Sequence, residues 1–140
     1  MRWVTREWIG VDRMACAWLI AKFVDGEAEF AFVPERAVPA AEDGEAFDMP
    51  GVRLSHHRGR ATFHAILREY GIADTGLHRL ARLIDEADTV QETTLEPGAF
   101  GLDMICRGIR KVCRDDAEAL QRSAPVFDGL YALLSEEAGA

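Results

Sequence analysis

Two short runs rich in aromatic and β-branched residues, Arg2–Thr5 and Glu29–Val33, stand on either side of one amphipathic helix, and this order constrains the fold more than anything else in the chain. Arg6–Gly10 turns the chain after the first run. Asp12 is the expected N-cap, and Ala15, Cys16, Leu19, Ile20 and Phe23 recur at helical spacing through Val24, where Asp25-Gly26 ends the helix. A strand, a helix and a strand in that order predict a parallel pair joined by a right-handed crossover. Beyond it, the acidic stretch Ala40–Glu45 reads as a loop, with short strands expected at Ala46–Asp48 and Val52–Ser55 around the turn-forming Pro50-Gly51. From Thr62 the pattern is helical: Thr62–Tyr70, Thr75–Asp88, Pro97–Cys113 and Asp116–Leu134, the last expected to kink or break at Pro125. The expected class is α/β of the α+β kind. A small, mostly parallel N-terminal sheet with a β-α-β start is covered by a helical C-terminal half, in a single domain over residues 1–140.

A chain of 140 residues can close one core without metal or disulfide staples. Its three cysteines, Cys16, Cys106 and Cys113, are an odd number and make no disulfide framework, which suits a reducing, cytoplasmic compartment. Cys106 and Cys113 lie two helical turns apart, about 10 Å by the helix rise, too far to bridge or to share one ion. The longest apolar run, Met14–Val24, contains Lys22 and follows Asp12-Arg13, so it cannot span a bilayer, and no segment resembles a signal peptide. A net charge of −8 excludes binding to nucleic acid through generic phosphate neutralisation.

Ser55–His64 holds three of the four histidines, with Arg58, Gly59 and Arg60 among them. It bridges a strand end and a helix start, where ligand sites tend to sit. Adjacent strand residues face opposite ways, so His56 and His57 do not both serve one small site, and one of them is expected to be surface. His64 falls in the first turn of the next helix, and a turn between could fold His57 and His64 toward one point. The helix N-terminus, Arg58 and Arg60 make the same place attractive to an anion. Metal ligation and an oxyanion cradle are both open, and the plainest reading is a solvated loop. On the helix Thr75–Asp88 the apolar stripe Leu77, Ala81, Ile84 continues onto Asp88, a carboxylate that needs a partner there; His78 and Asp85 fall on the polar face and are expected to be solvated. Asp12 and Cys16, four apart, bring a carboxylate and a thiol inward, or serve simply as a cap and a small buried side chain.

Several segments together resemble the C-terminal-type domain of the chromate-resistance protein ChrB: Trp3-Val4-Thr5-Arg6-Glu7, Val11-Asp12-Arg13, Ala15-Cys16, Trp18-Leu19-Ile20 and Phe32-Val33-Pro34 near the start, then Phe47-Asp48, Pro50-Gly51-Val52, His57, Gly59, Phe63, Ala87-Asp88 and Phe127-Asp128. In that family the domain often follows a regulatory DNA-binding part or a rhodanese-like one; here the motif begins at Trp3, so it is expected to stand alone. The resemblance implies an association with chromate or heavy-metal resistance, by sensing or regulation, with redox activity also proposed for the family. The chain departs from the family pattern at Ala61, where a cysteine is common, and at His64, where a carboxylate is common. If those positions ligate a metal, the set here has moved toward imidazole.

Three function classes follow. In a sensor or accessory protein, a chromate-like oxyanion, or a metal that holds it, sits near His57 with Arg6, Arg13 and Arg58 as paired donors. In a small redox or hydrolytic enzyme, His57, His64 and Asp88 hold one transition-metal ion (Fe, Mn or Zn), with Asp12 or Glu7 moving protons and Asp12 and Cys16 as catalytic candidates. In a structural or partner-binding domain these residues are caps and ion pairs. A homodimer is compatible with all three.

Overall fold

The computed structural model describes residues 1–38, 43–89 and 95–139. β1 (Arg2–Arg6) is the central strand of a three-stranded parallel sheet. β2 (Glu29–Val33) lies on one side, in register from Arg2 opposite Glu29 to Arg6 opposite Val33, and the two-residue β3 (Glu45–Ala46) lies on the other. The β-α-β start is as the sequence predicts. Of the two further strands expected, the first forms in part, as Ala46 in β3 and Phe47 N–H donating to the Val4 carbonyl at 3.0 Å, whereas the second, past the Pro50-Gly51 turn, is reduced to an isolated bridge between Leu54 and Phe47. Residues 40–42 of the acidic stretch lie outside the described residues, and Glu45 belongs to β3.

The crossover helix α1 (Val11–Leu19) continues into a π-helical turn over Ile20–Val24, closed by Asp25 N–H donating to the Ile20 carbonyl at 2.7 Å. α1 is the hub of the fold. All of its residues except Arg13 are buried, and it packs against each of the four later helices. A helix apolar on every side has to be a core helix. Around it stand α2 (Thr62–Glu69), α3 (Thr75–Asp88), α4 (Ala99–Val112) and α5 (Asp116–Gly139). α5 runs helically through Pro125, where the sequence suggested a kink or break. Its buried residues on both sides, Ser123 and Phe127 among them, hold the segment against α1 and α3 despite the lost hydrogen bond. Among the described residues no helix is long and apolar enough to cross a membrane.

Asp12 does not cap its own helix. Gly10 occupies the N-cap without a side-chain bond, and Asp12 stands in the first turn, turned into the protein. A second buried carboxylate fastens the turn between β1 and α1. Asp116, at the start of α5, accepts from Trp8 N–H (3.0 Å), Ile9 N–H (2.9 Å) and Arg110 Nε (2.8 Å). The Arg110 guanidinium in turn stacks 3.8 Å from the centre of the Trp8 ring, and Trp8 is held at φ 60. Removing this carboxylate strands a buried cation and two amides. Asp116→Ala should lower unfolding free energy in denaturant titrations by about 3–5 kcal/mol, and Asp116→Asn, which keeps the shape, by less.

Candidate functional site

A cavity of about 580 Å³ opens between the N-terminal end of α1, the loop that carries Asp48 to His56, and the C-terminal end of α3. Its ionisable lining comprises Arg6, Asp12, Arg13, Asp48, His56 and Asp88. Asp12, only 2% exposed, reaches from α1 to the N-terminus of α2, where Thr62 N–H donates to it at 2.9 Å and Phe63 N–H at 3.2 Å. The N-cap residue of α2 is Ala61, which has no side chain to offer, so Asp12 does the capping from a neighbouring helix. The Cys16 thiol, one turn along α1, also donates to Asp12, at 3.3 Å.

Asp48 is held in the left-handed region at φ 52 by three contacts. Its N–H donates to the Leu54 carbonyl at 2.7 Å, its Oδ1 accepts from Thr62 Oγ1 at 2.8 Å, and its carbonyl accepts from Arg13 Nη2 at 3.1 Å. Arg13 Nε also lies 3.0 Å from Asp48 Oδ2, close enough for an ion pair but misaligned for a hydrogen bond. Strain of this kind collects at functional sites. Between the carboxylates stands His56, with Nδ1 2.9 Å from Asp48 Oδ1 and Nε2 2.6 Å from Asp88 Oδ2 and 3.6 Å from Asp12 Oδ2. One ligand atom each from Asp12, Asp48 and His56 lie within 4.8 Å of one another, a spacing from which one cation could be held.

The electrostatics follow from this crowding. Hydrogen bonding to Asp48, reinforced by Asp88, pushes His56 up to about 10 against the cost of its partial burial, so the ring is an imidazolium at neutral pH. Burial, then Asp48 and Asp88, push Asp12 up to about 7. Burial also raises Asp88. The Cys16 thiol is pushed well above its ordinary range by burial and by Asp12, so it is a donor that orients Asp12 and has no thiolate character. Arg6 Nε is buried and lacks a hydrogen-bond partner among the described residues.

Of the residues singled out from sequence, Asp12, Asp88, Arg6 and Arg13 come together here, with Cys16 beneath them. His57, His64 and Arg58 do not join them. His57 to Arg60 form a tight turn, with His57 N–H donating to the Arg60 carbonyl (3.1 Å), Arg60 N–H donating to the His57 carbonyl (3.0 Å), and Arg58 and Gly59 at φ 51 and 77. Positive φ at both central residues is what a two-residue hairpin turn requires, and it leaves His57 and Arg58 exposed. His64 instead pairs with Asp85 at 2.8 Å, and Asp85 also accepts from Ala61 N–H at 2.8 Å. Asp85 is thus part of the frame around α2, whereas the sequence pattern placed it in solvent. Glu7 is exposed and outside the cavity. The residues that sequence reasoning missed are Asp48 and His56. Alternation marked one of the two adjacent histidines as surface, and only the turn at Arg58-Gly59 decides that it is His57.

Comparison with known proteins places residues 3–134 on the family model described as ChrB, C-terminal domain. Protein ChrB of Cupriavidus metallidurans is 34% identical over 132 residues, which cover 93% of this chain and 40% of that protein. The chain therefore spans less than half the length of the curated relative it matches. No solved structure matches it.

Both raised pKa values mean that the folded state binds more protons than the unfolded one. The contribution of Asp12 is complete below its ordinary 3.8 and is lost as pH rises through about 7; that of His56 is complete below 6.5 and is lost through about 10. In chelator-treated protein the melting temperature should therefore fall as pH rises from neutrality toward 10, and His56→Ala should flatten the alkaline part of that fall.

Proposed function

From the premise that the chain belongs to the family of ChrB C-terminal domains, we propose that it is a chromate-resistance-associated binding domain whose cleft takes one transition-metal ion and, through it, an oxyanion. The observation that carries this reading is the meeting of Asp12, Asp48 and His56 at ligand spacing on one wall of an open cavity, with Asp88 at hydrogen-bonding distance from the same imidazole. Carboxylate oxygens with one imidazole nitrogen suit borderline divalent ions, Fe, Mn or Zn, better than soft ones. The carboxylates are already short of positive charge. They hold an imidazolium among them, and two of the three are raised.

The same three carboxylates disfavour a bare dianion, because a second negative group brought beside them meets repulsion in a partly desolvated site. A bound cation reverses that sign. An oxyanion entering its open coordination positions would then find Arg6, whose buried Nε lacks a hydrogen-bond partner among the described residues, and Arg13, both of which line the cavity. A second reading, a small metal-dependent enzyme, is favoured by the cavity lying open beside the three ligand atoms, which leaves room for a substrate at the ion. Turnover of a substrate by the metal-loaded protein would separate the two.

The test is a calorimetric titration of tag-free, chelator-treated protein with Mn, Zn and, without oxygen, Fe(II), followed by sulfate, or by chromate for the Zn-loaded protein alone, because chromate oxidises Fe(II). About one equivalent of metal should bind. Asp48→Asn and His56→Ala should each weaken it by about tenfold to a hundredfold or more, while His57→Ala leaves it unchanged. Oxyanion binding should require the metal and should weaken in Arg6→Ala. Metal affinity that survives Asp48→Asn and His56→Ala, or that is lost in His57→Ala, would overturn the assignment.

A further inference from the structure

An apolar surface lies uncovered on α4, away from the cleft, where four large apolar side chains of one helix are exposed. Leu102, Cys106 and Arg110 face the protein, whereas Phe100, Met104, Ile105 and Val112 are exposed, two of them by more than 70%. Gly101 and Gly108 share that exposed face. A Cβ added at either would meet nothing within 4 Å, so packing within the chain does not demand glycine, which weakens a helix interior. Beside the helix, Trp8, Met104, Gly108 and Lys111 line a groove of about 690 Å³. Contiguous apolar surface with a notch is a binding face.

Charge selects the occupant. Along one edge of this face Asp103 stands toward the N-terminal end, and Arg107 and Lys111 toward the C-terminal end. Arg107 already meets Asp103 one turn back at 3.1 Å, and Lys111 has no ion-pair partner among the described residues. If two such helices pack antiparallel about a twofold axis, the same edges meet in opposite directions. Each Asp103 then falls between Arg107 and Lys111 of the other copy, and the helix dipoles oppose. A parallel pairing, whose twofold runs along the helices, would instead set this charged edge of each copy against the opposite, uncharged edge of the other, which carries Ile105 and Val112. With the axis at the level of Cys106 along the helix, the antiparallel register also sets Met104 of each copy over Gly108 of the other, at the groove beside Trp8.

We propose that the exposed face of α4 is a self-complementary docking surface for a second copy of this chain, packed antiparallel with Met104 seated at Gly108. The surface lies apart from the metal cleft and does not depend on it.

Sedimentation equilibrium of the tag-free protein at micromolar to submillimolar concentration tests this, the monomer being 15.5 kDa. A reversible dimer of twice that mass is expected. Met104→Glu and Gly108→Leu should each raise its dissociation constant by about tenfold or more, with unchanged melting curves showing that the fold persists. Asp103→Lys should weaken the dimer, and combining it with Lys111→Asp should restore it. A monomer at every concentration overturns the proposal, as does a dimer indifferent to Met104→Glu and Gly108→Leu. A monomer that instead binds anionic vesicles through this face overturns it too. Metal titration of Met104→Glu should match the unmodified chain, so a failed dimer test leaves the cleft assignment standing.

Discussion

Asp12 leaves the first turn of the helix on which every later helix packs and ends at the N-terminus of α2, and the positions of both core and cleft depend on that junction. A carboxylate this deeply buried is tolerated only where donors surround it. Thr62 N–H, Phe63 N–H and the Cys16 thiol supply them, while Asp85 from α3 takes the Ala61 N–H just outside. α2 begins with Ala61, which cannot cap, so its free amides are satisfied by carboxylates from α1 and α3. One set of hydrogen bonds thus fixes α2 relative to two other helices. The backbone of the loop before α2 is thereby held, and with it His56. Structure and site share the same group. Asp12 is a trans cap on one side and a wall of the cavity on the other.

Among the described residues three other than glycine are held at positive φ, Trp8, Asp48 and Arg58, and all lie on the segments that border the cleft. Each such conformation costs on the order of 1–3 kcal/mol and persists only where neighbours over-determine it. Trp8 is fixed by Asp116 below and Arg110 above its ring. Asp48 is fixed by Leu54, Thr62 and Arg13. Arg58 is fixed by the paired backbone bonds between His57 and Arg60. The strain at Trp8 swings the chain from β1 into α1 so that Arg6 and Gly10 both reach the cavity. That at Asp48 turns its carboxylate and backbone toward Thr62 and Arg13 together.

The architecture was legible because its cause is local. The β-branched and aromatic run Arg2–Thr5, the alternating run Glu29–Val33, and helical spacing from Ala15 to Phe23 specify a β-α-β unit with little freedom for anything else. The bounds of α3 could be read outright, since Asp74 caps its start by accepting from Leu77 N–H at 2.9 Å and Thr89 follows its end. The site was half legible. Asp88 announces itself as a carboxylate continuing an apolar stripe, and Arg6, Asp12 and Arg13 fall at the strand-to-helix junction. Which histidine belongs with them depends on a hairpin turn whose central pair is Arg-Gly, where Asn-Gly or Asp-Gly is the usual mark. Asp48 depends on a backbone conformation that no periodicity encodes. The sequence pattern assigns Asp85 to solvent because it falls on a polar face, and its partners, His64 and Ala61 N–H, arrive from α2 and the residue before it.

α4 shows the limit of pattern reading from the other direction. Its apolar residues occupy both sides of the helix, so spacing alone cannot say that Leu102 and Cys106 are core while Phe100 and Met104 are open. What distinguishes the two sides is Arg110. Its guanidinium is drawn inward by Asp116 and roofed by Trp8, and this rotates the helix until Gly101, Met104 and Gly108 face out. The same clasp also anchors the Trp8–Gly10 turn, and Gly10 borders both the cleft and the groove beside α4. The cleft and the α4 face are therefore separate surfaces positioned by one buried ion pair, so loss of that pair disturbs both, whereas a substitution on the exposed face of α4 disturbs only one.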